Sequence, residues 1–247
     1  MVIKGLIFDI NGTLTNINTY EGHSDIYRTL SNLLSYQGVF IGPNDLMNLY
    51  FATLKRLRKA SGERYPEFDA VAIFREIIRL HATDFTLQLP PEKIQQLPLL
   101  LAEVFRAGAC FRLELYQGVK ETISELHKQY QLSIVSDGQS AYALPELNAV
   151  GLLNSFSPII ISGDFGFRKP DKRLFEKALA AMKMQAEEVL FIGNDMYRDV
   201  CGAQRIGLKT IFYKSNQGAQ EKEGIEPDYI IYTFPELLQA VHFFENR

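Results

Sequence analysis

The stretch that most constrains this chain is Gly5-Leu-Ile-Phe-Asp-Ile-Asn-Gly-Thr-Leu-Thr15, where an apolar run stops on an acid and a glycine turn. Leu6, Ile7 and Phe8 have the uninterrupted apolar character of a strand covered on both faces, and the turn signal Asn11-Gly12 follows at once. A strand of this kind belongs to a parallel sheet. Asp9 then falls at the carboxyl end of that strand, the edge at which open α/β sheets bind ligands. A second reading has Asp9 capping its own turn, as Asp before Asn-Gly often does. This stretch by itself leaves the two readings level.

Over 16–110 the apolar spacing is helical throughout and predicts no strand. Ser24 ahead of Ile26, Tyr27, Leu30, Leu33 and Leu34, with Gly38 behind them, reads as a capped amphipathic helix with a glycine stop. Asn44 opens a second helix that ends at Gly62, Asp69 opens a third through Val71, Phe74, Ile77 and Ile78, and Pro90-Pro91 precede a fourth through Ile94, Leu97, Leu101 and Phe105. Such helices make a small bundle. From 118 onward the pattern alternates. Helices are predicted over 118–130, 142–150, 171–182, 196–206 and 235–244, and short apolar strands at 132–135, 159–161, 189–192, 210–213 and, as an edge, 229–231. The expected fold class is therefore α/β. Its core is a doubly wound, mostly parallel sheet built from 1–15 and 111–247, with an all-helical cap, 16–110, inserted after the first strand.

The length of 247 residues suits one core carrying an insertion, and a 47% hydrophobic content can fill it. A formal charge of −3 lacks the basic footprint of a nucleic-acid binder, and no apolar run reaches the length of a membrane span. The expected partner is a small molecule, with no nucleic acid and no membrane. Cys110 and Cys201 are too few for a disulfide framework and read as buried thiols in a reducing compartment. One Lys ahead of the first strand leaves no room for a signal peptide, so the expected location is cytoplasmic. His23, His81, His127 and His242 lack ligand spacing and read as surface or structural residues.

Three further strand ends carry polar residues. Ser136-Asp137-Gly138 is an ordinary turn by composition. Lys169-Pro170-Asp171 precedes a helix, where a lysine opposes the macrodipole unless an anion is also present. Gly193-Asn194-Asp195-Met196-Tyr197-Arg198-Asp199 gathers oxygen ligands of the type Mg²⁺ prefers, while Asn194 or Asp195 also suits a helix cap.

Taken in order, each after a predicted strand, these four motifs resemble those of the haloacid dehalogenase (HAD) superfamily, in its helical-cap subclass. Most members are phosphatases whose first motif reads Asp-x-Asp-Gly-Thr. Here it reads Asp9-Ile10-Asn11-Gly12-Thr13, an amide replacing the second acid. The resemblance implies that Asp9 is a nucleophile forming an aspartyl phosphate and that Lys169 neutralises both it and the incoming phosphoryl charge. Thr13, Ser136, Asp137 and Gly138 would contact the phosphoryl group. The resemblance further implies Mg²⁺ held by Asp9, the Asn11 backbone carbonyl and either Asn194 or Asp195, with Asp199 in support. The family's fourth motif carries an acid where Asn194 stands. The expected function is a Mg²⁺-dependent phosphatase for a small phosphorylated metabolite, slowed because an amide cannot perform acid–base catalysis at position 11. Two alternatives share the same core. One is a haloacid dehalogenase, which in this superfamily keeps the nucleophile, lacks the second acid and needs no metal. The other is an impaired protein that binds a phosphorylated ligand or a protein partner without turnover.

Overall fold

An apolar strand flanked by crossover helices ends up in the middle of a sheet, because only there are both of its faces covered. In the computed structural model, which describes residues 2–246, β1 (Gly5–Phe8) takes that place. After it come β2 (Thr15–Thr19) and the helices α1 (Ser24–Ser35), α2 (Pro43–Ala60), α3 (Ala70–His81), α4 (Asp84–Leu87) and α5 (Pro91–Ala109). The chain continues through β3 (Cys110–Leu115), α6 (Val119–Leu126), β4 (Gln131–Ser136), α7 (Ser140–Ala149), β5 (Ile159–Ile161) and α8 (Lys172–Met182). It closes with β6 (Val189–Gly193), α9 (Cys201–Gln204), β7 (Lys209–Tyr213), β8 (Tyr229–Ile231) and α10 (Leu237–Glu245).

The main sheet has the order β5-β4-β1-β6-β7-β8, every neighbouring pair parallel. Leu6 and Phe8 pack with Ile123 of α6 and Leu237 of α10 on one face, while Ile7 packs with Leu174 and Phe175 of α8 on the other. The sheet is doubly wound, as the alternation predicts. A second apolar cluster gathers Tyr27, Tyr50, Phe74 and Phe105 from α1, α2, α3 and α5, and Tyr142 of α7 joins it from the core side. The Tyr50 and Phe105 rings lie 4.5 Å apart, centroid to centroid. Among the described residues no helix is long and apolar enough to cross a membrane.

The structure corrects several local expectations. Thr15–Thr19 is a strand, not helical chain; it pairs antiparallel with β3 and carries an irregularity between Asn18 and Thr19. Thr-Asn-Ile-Asn-Thr has one apolar residue and no period, so its strand form comes from a partner at the far end of the helices, outside any local window. The expected limits of the helical insertion, 15/16 and 110/111, fall at this two-stranded ribbon. α1 is capped by the His23 ring, which accepts the Asp25 N–H at 3.3 Å, rather than by Ser24. α4 is a single turn, too short for periodicity to reveal. The helix expected over 196–206 is a π turn, Met196–Val200, followed by α9.

Candidate active site

β1 ends where its ladder does: the Asp9 N–H donates to the Ile192 carbonyl at 2.9 Å, and the N–H groups of Thr13, Leu14 and Thr15 then all turn back to the Ile10 carbonyl. Gly12 adopts φ +88° in this turn, and a β-carbon there would sit 2.2 Å from Asn194 Nδ2. Glycine is needed both for the conformation and for the close approach of the loop after β6.

Asp9 is 6% exposed and meets three donors. Lys169 Nζ at 2.6 Å and Ser136 Oγ at 3.2 Å reach Oδ1, and Thr13 Oγ1 lies 3.2 Å from Oδ2. Lys169, 3% exposed, also donates to Asp199 Oδ1 at 2.6 Å and to the Val135 carbonyl at 3.2 Å, so its three protons are all placed. Burial works against the ammonium, but Asp199 and Asp9 hold it above the ordinary lysine range. Asp199 accepts the N–H groups of Asn194 and Asp195, both at 3.0 Å. Burial pushes its carboxyl up to about 7 against the pull of Lys169.

Thr13 Oγ1 also lies 3.0 Å from Asn194 Oδ1. One hydroxyl proton cannot serve both Asp9 and Asn194, so an oxygen lone pair stays open beside Asp9. Asn11 is held by the Thr15 hydroxyl, which donates to its Oδ1 at 3.1 Å. Asp195 points elsewhere. Its Oδ1 accepts the N–H groups of Tyr197 and Arg198 at 3.0 and 2.7 Å, and its Oδ2 accepts the Ala219 N–H at 3.1 Å and Arg198 Nε at 2.9 Å. Burial opposes its ionisation, yet the Arg198 N–H and guanidinium hold Asp195 below the usual carboxylate range. Of the two residues left open as metal ligands, Asn194 is the one that shares the Thr13 hydroxyl with Asp9.

Two other expected contacts are taken up in fastening loops. The Gly138 N–H donates to Ser162 Oγ at 2.9 Å, and Asp137 Oδ1 accepts the Lys169 backbone N–H at 2.9 Å. Asp137 Oδ2 is buried without a hydrogen-bond partner, Arg198 being 3.8 Å away. Burial pushes this carboxyl from an ordinary 3.8 up to about 6, against the pull of Lys169. Because the folded value is the higher one, the associated stability is present below pH 4 and lost as pH rises through 6. At about 1.4 kcal/mol per pKa unit the loss is about 3 kcal/mol. Urea unfolding is therefore expected to show Asp137→Asn gaining about that much on the parent protein between pH 4 and pH 7.5. A difference that stays constant with pH would contradict the shift.

Sequence reading did not single out Arg198, which bridges Asp195 and Asp137; its only signal was a position three residues after Asp195. Glu67 and Gln139 also went unnoticed. Glu67 accepts the Ser162 hydroxyl at 2.9 Å, and Gln139 clamps the start of α3 by accepting the Ala70 N–H at 3.0 Å and donating to the Phe68 carbonyl at 2.6 Å. Among the described residues no group of three or more His, Cys, Asp or Glu side chains is placed to hold a metal.

A parallel sheet whose carboxyl edge gathers a carboxylate, a buried ammonium and two hydroxyls is the layout of an α/β enzyme. Residues 6–213 match the family model for haloacid dehalogenase-like hydrolases, and the chain belongs to that family. It is 28% identical to the pyrophosphatase PpaX of Halalkalibacterium halodurans over 98% of each chain. It is 32% identical to a glyceraldehyde 3-phosphate phosphatase of Pyrococcus furiosus over 127 residues, half of this chain and 53% of that protein. A 2-haloacid dehalogenase from Pseudomonas syringae superposes with a TM-score of 0.73 at 21% identity, over 98% of this chain and all of that one, which is a likeness of fold.

Proposed function

We propose that the protein is a phosphatase that passes the phosphoryl group of a small phosphorylated metabolite first to Asp9 and then to water. The observation that carries this reading is the buried Lys169 ammonium 2.6 Å from the Asp9 carboxylate, a fixed positive charge where a phosphoryl group would gain negative charge. The phosphatases among the relatives support it. Mg²⁺ suits the donors beside Asp9, because the open oxygen lone pair there has no protein proton to accept. Asp9, Asn194 Oδ1 and the Asn11 carbonyl would hold the ion, which when bound supplies positive charge against the phosphoryl oxygens. With a neutral amide at 194 the affinity is low. Asn194→Asp is expected to tighten Mg²⁺ by about tenfold or more in calorimetry, the scale of one added carboxylate ligand. Equal affinities would remove Asn194 from the ligand set.

In the first step the bond from phosphorus to Asp9 forms as the ester bond breaks, and the departing oxygen needs a proton only if it is basic. Asn11 has none to give, so aryl phosphates react and alkyl phosphates lag. In the second step water must lose a proton that the amide cannot take, and the covalent intermediate accumulates. Rapid-quench kinetics with an aryl phosphate are expected to show a burst near the enzyme concentration, with label retained on the protein in acid and absent from Asp9→Asn. Linear release at one rate for aryl and alkyl esters would sink this account of Asn11.

The two amides, Asn11 and Asn194, favour one second reading, metal-free displacement of halide from a 2-haloacid by Asp9. Chloride release from 2-chloropropionate in the presence of a chelator separates it from phosphatase activity.

A further inference from the structure

One peptide unit in the loop after β4 is held at both ends, and the holds lead back to the helical insertion. The Gly138 N–H donates to Ser162 Oγ at 2.9 Å, and the Gly138 carbonyl accepts the Gly163 N–H at 2.9 Å and Gln139 Nε2 at 3.1 Å. Ser162 is fully buried, and Glu67, in the connection between α2 and α3, is 7% exposed. The Ser162 hydroxyl has two acceptors in reach, Glu67 Oε2 at 2.9 Å and the Gly138 carbonyl at 3.4 Å. Its one proton goes to the nearer, charged acceptor, which leaves an oxygen lone pair for the Gly138 N–H. Glu67 is itself fixed: its Oε1 accepts the Phe68 N–H at 3.0 Å and lies 3.4 Å from Arg58 Nη2. Gln139 returns to the same connection through the Phe68 carbonyl and the Ala70 N–H.

A buried carboxylate is a costly way to seat a helical insertion, because apolar side chains of the same volume would seat it as well. What a carboxylate adds is direction. It takes the Ser162 proton along one line, and the Gly138 N–H is then aimed at the lone pair that remains. A β-carbon at Gly138 would meet nothing within 4 Å, so on that side the loop has no packing neighbour and its hydrogen bonds must place it. Ser136 lies two residues earlier in the same loop, its hydroxyl 3.2 Å from Asp9 Oδ1. A shift of the Gly138 peptide is therefore passed to a group that touches Asp9.

We propose that Glu67 is a positioning residue for the reaction at Asp9: by taking the Ser162 proton it fixes the Gly138 peptide, and through it the place of the Ser136 hydroxyl beside the nucleophile. The inference rests on the phosphatase reading of Asp9, and the experiment keeps the two apart. Three variants disturb the same peptide. Glu67→Gln keeps the size of the side chain and removes its charge, Ser162→Ala deletes the acceptor, and Gly163→Ala presses on the peptide from its other end, where a β-carbon would sit 2.6 Å from the Gly138 oxygen. Each is expected to slow the saturating single-turnover transfer of phosphate from phenyl phosphate to Asp9 by about tenfold or more, the scale of a small misplacement in a site that works by orientation. The half-saturating concentration should change little, and Glu67→Gln with Ser162→Ala should cost no more than the larger single effect, because the two act as one unit. A merely structural bond would lower the urea midpoint and leave the rate constant of the folded protein alone. Glu63→Gln, which breaks the ion pair of the same connection with Arg173, should keep the parent rate. Unchanged rates in the three variants, or an equal loss in Glu63→Gln, would overturn the proposal. Hydrogen exchange of the Gly138 amide, followed by NMR, needs no turnover: Glu67→Gln should speed it by about tenfold or more, the worth of roughly one hydrogen bond, with the Phe8 amide of β1 unaffected. If phenyl phosphate transfers nothing to the parent protein, the phosphatase reading falls instead. The exchange comparison then decides whether Glu67 holds the loop, and an unchanged Gly138 rate would refute it.

Discussion

Lys169→Met is expected to destabilise the protein by about 3–5 kcal/mol, the usual cost of removing one partner from a buried charge cluster. Methionine keeps the length of the side chain and deletes its charge. Asp9 and Asp199, each 2.6 Å from Lys169 Nζ, are then left facing one another with no cation between them. Asp199 has its other oxygen committed to two backbone N–H groups and cannot turn away. The two carboxylates can escape repulsion only by taking up a proton, so the deficit is expected to be larger at pH 8 than at pH 5. Urea denaturation at both values measures it. A double variant with Asp199→Asn should recover part of the loss, because the residues share one network. A single variant as stable as the parent protein at pH 8 would show that the ammonium does not hold these loops together.

The second large effect is expected at position 11. Asn11→Asp should raise the turnover of alkyl phosphates about 10²–10⁴-fold, the range for one positioned proton-transfer group. The Thr15 hydroxyl that donates to Asn11 Oδ1 can donate equally to a carboxylate, so the new acid inherits an existing hold. Steady-state rates on a primary alkyl phosphate measure the change, and a negligible gain in a folded variant would mean that the site is not a phosphatase. Asn-Gly is prone to deamidate when the glycine nitrogen attacks the amide. In the folded chain the Gly12 N–H is bonded to the Thr15 carbonyl at 2.8 Å, which opposes that attack. Conversion is therefore expected in unfolded or aged preparations, and intact mass with peptide mapping detects it.

Whatever depended on a short run of neighbouring residues was determined by the sequence itself. Leu6-Ile7-Phe8 has no polar face, so β1 had to be covered on both sides, and Asn11-Gly12 had to end it; Asp9 at the carboxyl end of that strand follows from those two facts. The same local logic put Ser136 at a strand end and Lys169 ahead of a helix, while their membership of one site came only from the resemblance. What the tertiary structure decided was direction. Asn194 and Asp195 are adjacent and both suit a cap or a metal, and only the π turn, Arg198 and the Ala219 N–H determine that Asp195 is the cap while Asn194 meets the Thr13 hydroxyl that also reaches Asp9. β2 carries too little apolar pattern to announce a strand and exists because β3 arrives beside it. Glu67 and Gln139 fasten the insertion to loops of the sheet, and Tyr50 of α2 and Tyr142 of α7 meet in one apolar cluster. Contacts between segments so far apart leave no period, turn signal or spacing in either one, because the chemistry that selects each residue lies in the other segment.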